Sequence, residues 1–140
     1  QKIIFSSLPY TDYLLLNEIE AQLLFNTSLL NSNNQLNQKL IIKLSKKAFQ
    51  KGLRKALVIH SPLESLYISK DNSCHSKSIK IPKKNIKNAV GAGDAFCAGF
   101  IFGIHEEWDI ETTLKKSHAA GSAMMKIDSS SGNLPNIKNL

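Results

Sequence analysis

Two short apolar runs constrain the fold of this chain most, because segments with the pattern of helices lie between them. Residues 12–16 and 55–60 have the length and composition of buried strands. Asn17 then has the residue type of a helix cap, for a helix over 18–25, and apolar residues at helical spacing predict a second helix between residues 36 and 48. Strands that alternate with helices predict an α/β fold with a mostly parallel sheet.

The second half of the sequence continues this alternation. Short strands are expected at 66–68 and 76–81, on either side of a polar turn at Asp71-Asn72. Helices are expected over 94–104 and 110–126, and the first of them is apolar on all sides, which predicts a buried helix. The tail from Asp128 to Leu140 is rich in Ser, Asn, Gly and Pro and is predicted to be irregular.

Charge and composition argue against several classes of function. The chain has 140 residues and a formal net charge of +7, but Arg54 is its one arginine. Arginine favours two-pronged reading of guanine and phosphate, so scattered lysines argue against a nucleic-acid partner. The longest apolar run is too short to cross a bilayer, and Cys74 and Cys97 fit no disulfide framework or zinc spacing. We therefore expect a cytoplasmic protein without a membrane partner.

A glycine loop stands directly before an apolar segment, in the stretch NAVGAGDAF. Gly91 and Gly93 allow positive φ and let a ligand approach the backbone closely. The helix behind them would offer unpaired N–H groups and the positive end of its dipole, which together suit a phosphate. Asp94, in the first helical turn, could accept a proton from a hydroxyl while a phosphoryl group arrives. The structural alternative is a tight turn whose acid only caps the helix.

These residues carry a resemblance to a known family. The stretch VGAGDAFCAGF resembles the second signature of the ribokinase-like sugar kinases, the PfkB family, and the match includes Gly91, Ala92, Gly93 and Asp94. The stretch TDYLLLNEIEA is similar to the family's strand followed by Asn-x-x-Glu. The resemblance implies a three-layer α/β/α fold, of which residues 1–140 form the C-terminal, nucleotide-binding and catalytic half. Such a half would leave a sheet edge and apolar surface exposed.

The resemblance also implies an activity, which is ATP-dependent phosphorylation of a sugar or nucleoside hydroxyl. The Gly91–Gly93 loop would form the anion hole and Asp94 would be the catalytic base. Asn17 and Glu20 would act on the phosphates and on Mg²⁺, largely through water. Their spacing places both residues on one face of a helix that follows a strand's carboxyl end, where α/β sheets hold ligands. Without the glycine loop, the same two residues would be a helix cap and its capping partner.

Three departures from the family pattern concern the nucleotide site. Asn88 stands where the family usually has Asp, which leaves activation by a monovalent cation open. The stretch VIHSPLESL takes the place of the usual Thr-x-Gly-x-x-Gly loop, with Pro62 and Ser65 in place of its glycines. Nucleotide contacts by Ser61 and Glu64 are therefore expected only in altered form. His118 falls near a position where many members have Asn beside the nucleotide, and it could stack or hydrogen-bond there. A half-buried helix histidine is the structural alternative.

Two other functions stay open at this point. One is a kinase of the same superfamily that acts on a vitamin precursor such as a hydroxymethylpyrimidine. The other is a non-catalytic nucleotide-binding or regulatory relative, which the altered 61–65 loop and Asn88 favour and the intact Asp94 disfavours. We expect a small-molecule acceptor, with ATP and Mg²⁺ as cofactors. A homodimer is compatible with the sequence.

Overall fold

Strands and helices alternate along the computed structural model, which describes residues 1–128 and 134–140. Short 3₁₀ helices occur at Leu8–Tyr10, Lys83–Asn85 and Ile137–Asn139. The chain divides into two compact units, residues 1–75 and 76–140. The longer elements are α1 (Lys2–Ser7), β1 (Tyr13–Asn17), α2 (Glu18–Phe25), α3 (Gln38–Gln50), β2 (Ala56–His60), β3 (Glu64–Ser69), β4 (Ser73–Lys77), α4 (Ala92–His105) and α5 (Ile110–Met124).

The four strands form a mixed sheet in the order β1-β2-β3-β4. β1 and β2 are parallel, with Asn17 opposite His60 at the last position of the ladder, whereas β3 is antiparallel to β2. The α/β class is therefore confirmed, but the sheet is not mostly parallel. The Ser61–Leu63 connection is too short for the crossover that a parallel neighbour needs. β4 also begins and ends earlier than the strand expected over 76–81. The sequence did not reveal its bounds, because residues 73–77 lack the alternation of apolar and polar residues that marks a strand.

The core of the first unit lies on one face of the sheet. Leu57 and Ile59 of β2 are fully buried there and belong to a cluster that includes Leu24 of α2 and Ile41 of α3. Successive strand residues point to opposite faces, and Val58, which lies between the two core residues, is fully buried as well. Both faces of β2 are therefore covered, as is typical of strands in layered α/β folds.

Side-chain caps determine where two of the helices begin. Asn37 Oδ1 accepts a hydrogen bond from the Leu40 N–H at 3.2 Å before α3, and Asp109 Oδ1 accepts one from the Thr112 N–H at 2.8 Å before α5. The first N–H groups of a helix have no partner within it, so these side chains satisfy them. Hydrogen bonds from Thr112 hold the pKa of Asp109 below its ordinary value, because the ionised carboxylate is the better acceptor.

Helices α4 and α5 pack closely against each other in the second unit. Gly103 of α4 faces Thr113 of α5, and a Cβ at this glycine would lie 2.7 Å from the threonine side chain. Phe96 and Phe100 are buried, but Ile101 is 63% exposed. The prediction that α4 is buried on all sides was therefore wrong. An apolar helix is buried only where another element covers it, and the sequence of α4 does not show which face is covered.

Apolar surface is also exposed in the first unit. Ile19 and Leu23 lie one turn apart on α2 and are 61% and 69% exposed. The strand order places β1 at an edge of the sheet. The exposed apolar surface expected from the sequence is thus present on α2.

Two further expectations concern the tail and the membrane. Residues 129–133 of the tail predicted to be irregular lie outside the described residues, and a short 3₁₀ helix forms at Ile137–Asn139. Over residues 1–128 and 134–140, the helices are too short or too polar to cross a bilayer.

Candidate active site

Asn17 and Glu20 interlock at the junction between β1 and α2. The Glu20 N–H donates to Asn17 Oδ1 at 2.8 Å, and the Asn17 N–H donates to Glu20 Oε2 at 2.9 Å. This capping box satisfies two backbone donors and fixes the start of α2. Glu20 nevertheless remains exposed to solvent. Asn17 and Glu20 therefore form the helix cap and capping partner that the sequence offered as the structural alternative. This arrangement leaves the Glu20 carboxylate accessible to solvent.

The donor set at this junction fits a cation that is held mainly by other ligands. Mg²⁺ keeps several waters and commonly binds one or two carboxylates together with substrate phosphates. Glu20 offers one exposed carboxylate. Over residues 1–128 and 134–140, this junction included, no group of three His, Cys, Asp or Glu side chains could hold a metal ion. This geometry allows Glu20 to bind, through water, a Mg²⁺ ion that is held by the phosphates of ATP. Such binding stays a prediction.

His60 lies beside this junction and was not assigned to the site from the sequence. It is the residue of β2 directly opposite Asn17 in the parallel ladder. Burial lowers the pKa of His60 below its ordinary value, and the negative charge of Glu20 opposes that shift to a smaller extent. The ladder and the Asn17–Glu20 hydrogen bond thus bring His60 and Glu20 to the same end of the β1–β2 pair. The register of the β1–β2 pair, which the sequence alone does not give, would have been needed to find this neighbour.

Ser61 closes the turn between β2 and β3. Its N–H donates to the Glu64 carbonyl oxygen at 2.8 Å, and its Oγ accepts from the N–H groups of Leu63 and Glu64 at 3.3 and 3.2 Å. Pro62, within the turn, has a fixed φ and no N–H to donate. The turn therefore uses internally the N–H groups that a glycine-rich loop would offer to a phosphate. A nucleotide contact by Ser61 stays a prediction.

The Glu64 carboxylate is buried and has partners at both oxygens. Its Oε1 accepts from the Leu36 N–H at 2.5 Å, and its Oε2 lies 2.5 Å from His75 Nε2. The side chain is only 5% exposed, whereas that of His75 is 28% exposed. Glu64 thus connects β3 with β4 and with the segment before α3. A nucleotide contact by Glu64 also stays a prediction, and the contacts present here are structural.

The glycine loop opens α4 with a left-handed residue. Gly91 has φ 83° and ψ −7°, a conformation that strongly favours glycine, and it occupies the N-cap position. No side chain among the described residues caps this helix. Gly93 does not share the positive φ expected for it, since it lies within the first turn of α4. A close approach of a ligand to the backbone at Gly93 stays a prediction.

Asp94 and Asn88 flank this loop with different functions. Asp94 is exposed in the first turn of α4, where the helix dipole favours a negative charge. Asn88 Oδ1 accepts a hydrogen bond from the Val90 N–H at 3.0 Å and so shapes the chain just before Gly91. An amide therefore supplies the local turn at the position where the family pattern has a carboxylate. The effect on a monovalent cation stays open.

His118 is buried within the second unit. It is 6% exposed, and its ring packs edge-on against Phe96, with 5.0 Å between the ring centroids. Its helix also comes close to the glycine loop, because a Cβ at Gly121 would lie 3.0 Å from the Ala92 carbonyl oxygen. His118 is therefore a helix histidine, as the structural alternative had it, but it is buried and not half-buried. Stacking on a nucleotide stays a prediction.

The predicted residues come together in two groups, one in each unit. In residues 1–75, Asn17 ends β1, Ser61 directly follows β2, and Glu20 is bonded to Asn17. In residues 76–140, the Gly91–Asp94 segment begins α4 and is supported by α5. Helix starts and strand ends of this kind are the places where α/β proteins bind phosphates.

Solved structures share this architecture. The ribokinase of Thermotoga maritima matches with a TM-score of 0.72 at 21% identity, over 99% of this chain and 42% of that structure. The nucleoside kinase of Burkholderia thailandensis, solved in complex with inosine, matches with a TM-score of 0.71 at 16% identity, over 94% of this chain and 38% of that structure. The ribokinase-like fold is therefore confirmed.

Two characterised relatives match by sequence. A 5-dehydro-2-deoxygluconokinase of Clostridium botulinum is 39% identical over 67 residues, which are 46% of this chain and 20% of that protein. The adenosine kinase of Schizosaccharomyces pombe is 27% identical over 131 residues, which are 93% of this chain and 38% of that protein. The chain thus spans less than half the length of either relative.

The family assignment follows from the match over the greater part of the chain. The sequence profile of the pfkB family of carbohydrate kinases matches residues 4–137. That range contains both groups of residues described above. The chain therefore belongs to the pfkB family of carbohydrate kinases.

Proposed function

We propose that the protein transfers the γ-phosphoryl group of ATP to a hydroxyl group of a sugar or nucleoside, in the cytoplasm and with Mg²⁺. The observation that carries this proposal is the start of α4, where a left-handed Gly91 precedes an exposed Asp94. N–H groups without a side-chain cap can hold the transferred phosphoryl group, and the adjacent carboxylate can take a proton. Membership of a kinase family supplies the class of reaction.

Each group then has a defined role in the transfer. The acceptor oxygen attacks the γ-phosphorus, the bond to the oxygen that bridges to ADP breaks, and the hydroxyl proton goes to the Asp94 carboxylate. Such transfers depend mainly on positioning and on stabilisation of charge. The Gly91–Gly93 amides would stabilise the equatorial oxygens of the phosphoryl group. Bound Mg²⁺ would neutralise phosphate charge, with Asn17 and Glu20 orienting its water ligands.

The named relatives define the first acceptors to examine. Their names identify 5-dehydro-2-deoxygluconate and adenosine as substrates of those proteins. We propose that the acceptor of this protein is a small hydroxylated molecule of one of these two classes, a sugar acid or a nucleoside. The positive net charge of the chain would attract either ATP or an anionic acceptor.

The test measures ADP release from Mg-ATP by the intact protein with sugars, sugar acids and nucleosides. Asp94→Asn is expected to lower kcat by about 10²–10⁴-fold, because it removes the general base. Glu111→Gln is the matched control, since Glu111 is another acid in the first turn of a helix. That variant is expected to keep the wild-type rate. Full activity of Asp94→Asn would overturn the assignment of the base.

The other outcomes identify the competing functions. Turnover of a hydroxymethylpyrimidine but of no sugar or nucleoside would support the vitamin-type kinase. ATP binding without turnover of any acceptor would support a regulatory relative, with Pro62, Ser65 and Asn88 as the departures that explain it. Either outcome would replace the acceptor class proposed above.

A further inference from the structure

His60 is placed where it can act on Glu20. Asn17 and His60 are partners at the last position of the parallel β1–β2 ladder, so both residues lie at the carboxyl ends of these two strands. The Asn17 N–H holds Glu20 Oε2 at 2.9 Å, which keeps the carboxylate over the end of β1. His60 therefore lies beside the strand end over which this carboxylate is held.

We propose that His60 is a positioning residue for Glu20, whose carboxylate it orients by donating a ring N–H directly or through one water. The inference rests on the proposed function, because Glu20 matters for catalysis only if it orients the water ligands of Mg²⁺ bound to ATP. One oxygen of the carboxylate is already fixed by the backbone of Asn17. A donor on the neighbouring strand would fix the direction of the other oxygen.

A neutral imidazole suits this role better than a cation. Neutral histidine carries one N–H donor and one acceptor nitrogen. It can therefore orient a carboxylate without cancelling the negative charge that a cation or its waters require. Histidine in such an outer position orients the group that contacts a metal or its water, and its loss typically weakens metal binding.

The test compares Mg²⁺-dependent ATP binding by calorimetry in four forms of the intact protein. These are the wild type, His60→Ala, His60→Gln and, as a control, His105→Gln on the exposed end of α4. His60→Ala is expected to raise the half-saturating Mg²⁺ concentration about tenfold. The amide of His60→Gln can still donate a hydrogen bond, so this variant is expected to recover most of the loss. The control should match the wild type.

A spectroscopic measurement separates this role from a packing role. The ring ¹⁵N signals of His60 are identified by their absence in His60→Gln, and Glu20→Gln is expected to shift them. Unchanged ring signals in Glu20→Gln, or an unchanged Mg²⁺ requirement in His60→Ala, would overturn the proposal. Both measurements work without an acceptor. A failure of turnover with every acceptor would therefore count against the proposed function and not against the role of His60.

Discussion

The turn at Ser61–Glu64 and the loop at Asn88–Asp94 were both expected to bind nucleotide, yet they are built in opposite ways. In the turn, Ser61 Oγ accepts two backbone N–H groups, and the Glu64 carboxylate is buried with both oxygens bonded. In the loop, Gly91 starts α4 and Asp94 is exposed, with no side-chain cap among the described residues. Groups that are already satisfied gain little from a ligand, so the loop is better suited to bind one.

The largest effect is expected from removing the buried Glu64 carboxylate, which ties the start of β3 to Leu36 and His75. Glu64→Ala removes the acceptor of the buried Leu36 N–H and the partner of His75. We expect the free energy of unfolding to fall by about 3 kcal/mol, because a buried donor and a partly buried histidine lose their partner. Chemical denaturation followed by circular dichroism measures this change.

Glu64→Gln serves as the control for the size of the residue. Its amide oxygen can still accept from the Leu36 N–H, so we expect a smaller loss than in Glu64→Ala. If Glu64→Ala unfolded at the wild-type denaturant concentration, the contacts of this carboxylate with Leu36 and His75 would not stabilise the fold. The contrast between turn and loop would then disappear.

A smaller effect on stability, with a larger one on activity, is expected at Gly91. Gly91→Ala forces a side chain into the left-handed region and should cost about 1–2 kcal/mol of the free energy of unfolding. Because the loop would also shift, we expect kcat to fall by more than this loss of stability explains at a temperature where both proteins are folded. Gly91→Asn tolerates positive φ better and should be the more stable of the two variants. Equal kcat for wild type and Gly91→Ala would argue against the anion hole.

The smallest effect concerns the pH dependence of stability at His60. Its pKa is lowered on folding from the ordinary value of 6.5, so the unfolded chain binds a proton at higher pH than the folded one. The stability contributed by the neutral ring is thus fully present above that value and is lost as the pH falls below it. The slope cannot exceed about 1.4 kcal/mol per pH unit for one proton. Unfolding of wild type and His60→Gln between about pH 5 and 7 tests this, and identical slopes would contradict it.

The sequence predicted those elements whose local pattern is strong. The helix over 18–25 has the observed bounds, because Asn17 and Glu20 carry a capping signature and an apolar segment follows. The strand β4 was misplaced, since residues 73–77 are mostly polar and lack the alternation that marks a strand. The antiparallel β3 could have been predicted, because the connection from β2 is so short.

The candidate site was predictable in its residue types but not in its contacts. Gly91 and Asp94 stand in one contiguous motif, so their neighbourhood needs no tertiary information. The pairing of Glu64 with His75 and the placement of His60 beside Asn17 depend on strand register. The register of β1 against β2 joins strands far apart in sequence, and that of β3 against β4 depends on the turn between two strands of which one was misplaced. These contacts therefore became visible only in the folded chain.

The parallel pairing of β1 with β2 also has a consequence for the order of folding. The hairpin of β2 and β3 joins neighbours in sequence, whereas β1 and β2 are separated by α2 and α3. Closing such a long loop costs chain entropy before any contact rewards it, which makes parallel pairs slow to form. The strand end where Asn17 meets His60 should therefore be completed late. The β2–β3 hairpin would form before β1 joins the sheet.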